Sequence, residues 1–172
     1  MTQTAPGGNR TVADIVRALV PLVLLVLIAV WVFWPRTGTR VHVVDPSADL
    51  RGASRIASYH VVSPQGLPPG WRPTSSRVDQ PTSTVVTVEV GYLSPGEKYA
   101  RYVQTNLRTD ELLAAQLPGA AADGTAMVRG QAWQRYRTNR GEIALVLPGT
   151  VTLLVTGSAG LDELSALAAS LH

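Results

Sequence analysis

The sequence predicts an α+β protein: one N-terminal transmembrane helix, followed by a small antiparallel sheet covered by two or three helices. Three observations carry that expectation. Residues 18–34, ALVPLVLLVLIAVWVFW, hold no charge. Val86, Val88, Val90 and Tyr92 alternate with Thr87, Glu89 and Gly91, the period of a half-buried strand. Leu161, Leu164, Leu167, Ala168 and Leu171 form one apolar stripe at helical spacing, and such a stripe must cover the face of a sheet.

The apolar run comes first. Most of its residues are Leu, Val, Ile or Phe, each favouring the bilayer centre by roughly 0.3–0.6 kcal/mol. As a helix, 17 residues span about 25 Å, the short end of the transmembrane range. Thr11 serves as an N-cap, Asp14 and Arg17 share a face, and Arg17 can snorkel to the headgroups. Trp31 and Trp34 stand where indoles favour the interface, and Pro35 ends the helix. A buried core helix of this size is rarely apolar on every face. A cleaved signal peptide needs small residues before the cut, and Val-Trp-Val-Phe-Trp-Pro offers none. The expected layout is therefore a disordered cytoplasmic tail at 1–10 and a transmembrane helix at 11–34. A juxtamembrane linker and short helix follow at 35–55, then an extracytoplasmic domain at 56–172. Arg10 and Arg17 balance Arg36 and Arg40 across the span, so the short leading tail, rather than charge, points to a cytoplasmic N-terminus.

The charge balance agrees with this layout. The net charge is +3, yet from Val41 onward 11 basic residues face 11 acidic ones. The excess belongs to the flanks of the apolar run, and a neutral folded part lacks the clustered cations of a nucleic-acid binder. With no cysteine, the chain has no disulfide, no thiolate metal site, no cysteine nucleophile and no lipoprotein cysteine.

Within the domain, Asp45-Pro46 opens a short helix from Pro46 to Ala57 that Gly52 weakens. Val41–Val44 and Tyr59–Val62 are brief strand candidates. Three prolines and two glycines between Ser63 and Trp71 forbid regular structure. Arg72–Val78 reads as extended. Val85–Leu93 and Lys98–Thr105 pair across the turn Ser94-Pro95-Gly96-Glu97. Thr109 caps a helix from Asp110 to Leu117, which Pro118-Gly119 stops. Residues 120–125 read as a loop and Met127–Thr138 as a strand, broken at Gly130. Glu142–Leu147 and Val151–Thr156 pair across Pro148-Gly149-Thr150, each half too short to span a bilayer. The striped helix from Leu161 to Leu171 closes the chain.

The segment YHVVSPQGLPPGWRPTS, Tyr59–Ser75, resembles the hallmark of a family of actinobacterial membrane-anchored proteins catalogued as domain of unknown function 4245. VTVEVGYLSP and the closing run VTLLVTGSAGLDELSALAASL are similar to it as well. The resemblance covers residues 12–172. It implies an envelope protein with one N-terminal span and a small extracytoplasmic domain, and it brings no catalytic residue.

Chemistry is sparse. His42, His60 and His172 are too scattered for a metal pair, and no nucleophile elbow or Ser-x-x-Lys set is present. No catalytic residue, metal site or cofactor is expected. Gly157-Ser158-Ala159-Gly160 reads as a capping turn, and Asp110-Glu111 and Asp162-Glu163 suit helix starts. The candidate ligand-binding residues are Trp71, His60, Trp133, Arg135 and Arg137. Arg135 and Arg137 share a strand face with Trp133, and Arg129 and Arg140 lie nearby in sequence, a set able to meet anionic headgroups or cell-wall phosphates. Trp71 would either line a groove or anchor the proline turn. The expected partners are the lipid bilayer, through Ala18 to Trp34, and an envelope protein or anionic envelope component, with no nucleic acid. The expected function is a non-enzymatic binding or interaction domain in the envelope. An envelope hydrolase with His60 as base is the alternative, as is a ligand-binding domain with an enclosed apolar cavity between sheet and helices.

Overall fold

The computed structural model describes residues 43–172, together with Leu19, Val20, Val23, Leu25 and Val26. Those five residues of the apolar run are helical and exposed. The tail at 1–10, the linker residues up to 42 with His42, and the rest of the expected transmembrane helix lie outside the described residues. Among the described residues no helix is long and apolar enough to cross a membrane.

The unit Val41–His172 is built on a seven-stranded antiparallel sheet with three helices. In chain order the elements are α1 (Ser47–Ile56), β1 (Arg72–Asp79), β2 (Thr87–Leu93), β3 (Tyr99–Thr105), α2 (Thr109–Gln116), β4 (Ala121–Val128), β5 (Gln131–Arg137), β6 (Ile143–Leu147), β7 (Thr152–Gly157) and α3 (Leu161–Ser170). The strand order is β1-β2-β3-β7-β6-β5-β4. Two meanders, β1–β3 and β4–β7, thus join edge to edge through β3 and β7, with α2 carrying the chain between them. The α+β class and the antiparallel sheet agree with the sequence.

The alternation at 86–92 does what its period requires. Val88, Val90 and Tyr92 pair with Gln104, Tyr102 and Ala100 across β2–β3, and this face carries the larger core, with Leu145, Val155 and Trp133 further along the sheet. Two helices cover it. α1 contributes Ala53, so it packs as part of the unit Val41–His172. α3 contributes Leu164, Leu167 and Ala168, the predicted stripe. Full burial of each leucine contributes about 1.5–3 kcal/mol. The opposite face holds a smaller core, in which Leu112 and Leu117 from α2 and its C-cap meet Val103, Ala144, Val146 and Leu154.

Several local expectations change. Tyr59–Val62 is not a strand: it lies over the larger core, and its backbone is held by the Gln104 side chain instead of a ladder. Residues 121–128 are an edge strand, not a loop, with a bulge between Ala122 and Thr125. Residues 43–45 have no regular structure, although the Val44 N–H donates to the Pro73 carbonyl at 3.0 Å. The Thr109 hydroxyl caps nothing; it bonds the Thr152 hydroxyl at 3.1 Å and ties α2 to β7. The N-cap of α1 is Pro46 rather than Asp45; the Asp45 carboxylate, one residue earlier, accepts from the Ser47 N–H at 3.0 Å, and the Ser47 N–H and hydroxyl hold it below the usual aspartate range. The proline turn is pinned to the end of α3 by the Gln65 N–H, which donates to the Ser170 carbonyl at 2.8 Å.

Candidate functional site

Strand β5 delivers Trp133, Arg135 and Arg137 to one sheet face, as the period of two demands. Their roles then diverge. Trp133 is only 2% exposed and lies in the core shared with Leu164 and Leu167. Its indole N–H is buried with no hydrogen-bond partner. Such an orphan costs about 1–3 kcal/mol, so it calls for a physical reason.

Arg135 and Arg137 are brought together by a residue that sequence reading missed. The bulge in β4, with Gly124 at φ +100°, places Asp123 between them. Its carboxylate lies 3.3 Å from Arg135 Nε and 2.9 Å from Arg137 Nη2. Arg135 Nε also donates to the Asp123 carbonyl at 2.8 Å. One carboxylate serving two guanidinium groups leaves this face with one net positive charge. The signal for Asp123 was the Asp-Gly pair, which reads as a turn when a loop is assumed.

The other candidates separate from this group. Trp71 packs edge-on against Tyr92, with ring centroids 6.2 Å apart and planes at 73°, and Tyr92 stacks on Tyr102 at 6.4 Å. It therefore anchors the proline turn to the core. His60 is exposed and lines neither of the clefts described below; its carbonyl accepts from Gln104 Nε2 at 2.7 Å. Arg129 and Arg140 lie at opposite ends of β5, in the β4–β5 and β5–β6 turns, so the arginines do not form one cluster. Tyr136 points to the other sheet face, where it packs beside Leu112 and Val146.

Three tyrosines cement the larger core. The Tyr59 hydroxyl donates to the Val86 carbonyl at 2.9 Å, and the Tyr102 hydroxyl to the Val62 carbonyl at 3.2 Å. Burial pushes Tyr59 and Tyr92 up to about 12 and Tyr102 higher still, so all three are neutral structural groups.

Two surface clefts stand out among the described residues, and neither is an enclosed cavity between sheet and helices. The larger, about 550 Å³, lies beside the C-terminal end of α2, with Tyr99, Arg101, Arg140 and Glu142 in its walls. Arg101 is already committed to Glu89 at 2.8 Å, and Arg140 and Glu142 oppose each other in sign. The smaller, about 320 Å³, lies between the end of α3 and the β5–β6–β7 sheet. Its walls are Val128, Leu147, Leu153, Ala168, Ala169 and Leu171, and Trp133 lines it. Arg129, Gln131 and His172 supply its polar groups. Apolar and polar groups share its surface, and a concave surface with a few convergent polar groups is the general form of a ligand site. This cleft brings Trp133, the one sequence-predicted candidate residue that lines either cleft, together with Arg129, and it is the candidate site. Among the described residues no group of three or more His, Asp or Glu is placed to hold a metal ion.

No curated protein and no solved structure matches the chain. A family model does, over residues 8–171, nearly the whole length. The chain belongs to the family described as protein of unknown function DUF4245.

Proposed function

We propose that the chain is a single-pass membrane protein of the cell envelope whose folded domain is a non-enzymatic binding module. Residues 18–34 form the anchor, with the N-terminus cytoplasmic and the domain extracytoplasmic. The sequence of the run supports the anchor: 17 uncharged, mostly Leu and Val residues with tryptophans at one end. One observation supports the binding role: a surface cleft lined by Trp133 and edged by Arg129.

The test places a photoreactive side chain at Gln131, beside the cleft, in cells that express the full chain. A discrete adduct, abolished when the cleft is filled by Ala169→Leu, is the expected result. Absence of any adduct other than the protein itself overturns the binding role. The anchor is tested separately. The chain should stay in carbonate-washed membranes, and protease added outside should degrade the domain. Release without detergent, or a protected domain, overturns that part.

A further inference from the structure

The outer edge of β1 carries backbone groups and charges that the fold leaves unused. The Ser94 N–H donates to the Lys98 carbonyl at 2.8 Å, so the even-numbered residues of β2 turn their backbone groups to β3 and the odd-numbered ones to β1. Their partners Ser75, Arg77 and Asp79 therefore bond β2, and the backbone groups of Ser76 and Val78 face away from the sheet. Pro73 looks outward as well, and its carbonyl takes the Val44 N–H at 3.0 Å. Beyond that contact no strand lies along this edge among the described residues. Val78 packs against the larger core, so Arg77 and Asp79 share the opposite sheet face, where both are exposed. Neither has an ion-pair partner among the described residues. Glu89, directly across from Arg77, is held by Arg101 at 2.8 Å.

Outward from Val78, the run Ser76-Arg77-Val78-Asp79-Gln80 is complementary to itself. We propose that β1 pairs antiparallel with β1 of a second copy of this chain, about a two-fold axis at Val78, and so joins two sheets into one. Val78 bonds its own counterpart through N–H and C=O in both directions, and Ser76 stands opposite Gln80. Arg77 of each copy faces Asp79 of the other in a non-hydrogen-bonded pair, where side chains come closest. The pairing extends a row of alternating sign across the sheet face: Arg101, Glu89, Arg77 and the second copy's Asp79. Charge on an edge strand ordinarily wards off other strands. A foreign strand without the mirrored order of charge meets that barrier, whereas a second copy is attracted, and this selects the occupant. β4, at the other edge, is broken by a bulge between Ala122 and Thr125 and has no such order. An edge of this length makes a transient association, not an obligate one. The pairing is independent of the binding role proposed above, whose cleft lies in the other half of the sheet.

The test uses charge reversal in the full chain, held in detergent micelles, with association read by sedimentation equilibrium. The parent should form a dimer that dissociates on dilution. Arg77→Asp sets acid against acid and Asp79→Arg sets base against base, so each variant alone should associate about tenfold more weakly. An equimolar mixture of the two should recover the parent's association, as should one chain carrying both changes, and recovery also shows that the variants fold. Because the chain has no cysteine, the register can be trapped. On mild oxidation, Arg77→Cys mixed with Asp79→Cys should give a disulfide-linked dimer, and either variant alone should not. A parent that stays monomeric at every concentration overturns the proposal. Single reversals that associate as the parent does, or a mixture that fails to recover, do the same. So does an Asp79→Cys chain that is captured in cells by a different protein in place of the Arg77→Cys chain.

Discussion

The side-chain amide of Gln104 holds Val62 as a neighbouring strand would. Its Oε1 accepts from the Val62 N–H at 2.9 Å, while its Nε2 donates to the His60 carbonyl at 2.7 Å. A segment that cannot join the sheet is thereby satisfied from the sheet face, by a side chain that is itself buried in β3.

Replacing that amide should therefore be costly. Gln104→Leu keeps the volume but strands two backbone groups, and each unsatisfied buried group costs about 1–3 kcal/mol. A loss of about 3 kcal/mol is expected, read by chemical unfolding of the variant against the parent. A loss below about 1 kcal/mol would mean that water replaces both bonds.

Gly157 stands at the seam of the two meanders, paired with Ala100 on one side and Ile143 on the other. Its φ is +152°, and a Cβ there would meet the Tyr99 carbonyl oxygen and the Ala100 Cα. Neither contact is a flexible side chain that can swing away. Gly157→Ala should cost about 3 kcal/mol or more, as overpacking and backbone strain add. Thermal unfolding checks it, with Gly160→Ala, where a Cβ meets nothing, as the mild control.

How much of this was legible in the sequence depends on what held each segment. Val86 to Tyr92 declared itself because β2 has one face on a packed core, so burial wrote a period of two into the residues. The helix stripe at 161–171 did the same at helical spacing. β4 was illegible for the opposite reason. AADGTAMV lies at the sheet edge with most residues exposed, so neither propensity nor alternation marks it, and only pairing with β5 makes it a strand. Tyr59–Val62 has strand-forming residues, but the partner it found was a side chain. The candidate site followed the same rule. Trp133 could be singled out by residue type. The walls of its cleft, Leu147, Leu153 and Ala169, are brought together only by the return of α3 across the sheet.

Asp123 screens the two arginines of β5, and that can be measured. The three side chains are 29%, 51% and 32% exposed for Arg135, Arg137 and Asp123, so the pairs are largely solvated. Asp123→Asn should lose only about 0.5–1 kcal/mol, and less at high salt, where surface pairs are screened. The same change should raise binding to anionic vesicles, because it frees a second positive charge on that face. Sedimentation with phosphatidylglycerol vesicles at low and high salt reads this. Unchanged binding would show that this face does not meet the headgroups.

The tyrosine core sets the alkaline limit. Tyr59 and Tyr92 are raised to about 12 and Tyr102 further, against an ordinary value of 10.0. Below pH 10 these groups are neutral in both the folded and unfolded chain, and their contribution is fully present. Above it the unfolded chain releases protons that the folded chain retains, so stability falls as pH rises from about 10 through 12. Phenolate absorbance should include a component that appears only with unfolding. A titration complete before the circular dichroism changes would contradict the burial of these rings.

Arg129 offers the sharpest separation of turn chemistry from site chemistry. Its positive φ disfavours any residue with a Cβ, by roughly 1–2 kcal/mol, and asparagine suffers least. Its guanidinium returns part of that by bonding the Ala169 carbonyl near the end of α3, an exposed contact of about 0.5–1.5 kcal/mol. Arg129→Asn relieves the strain and loses the bond, so its stability should lie within about 0.5 kcal/mol of the parent. Arg129→Ala loses the bond and keeps the strain, and should be about 1 kcal/mol less stable than Arg129→Asn. If the two variants unfold together, the turn does not discriminate residues and the arginine costs the fold nothing. If Arg129→Asn is destabilised by 2 kcal/mol or so, helix capping alone accounts for the arginine. Near-neutral Arg129→Asn, in a turn that favours asparagine, leaves the charge beside the Trp133 cleft as the reason an arginine stands there.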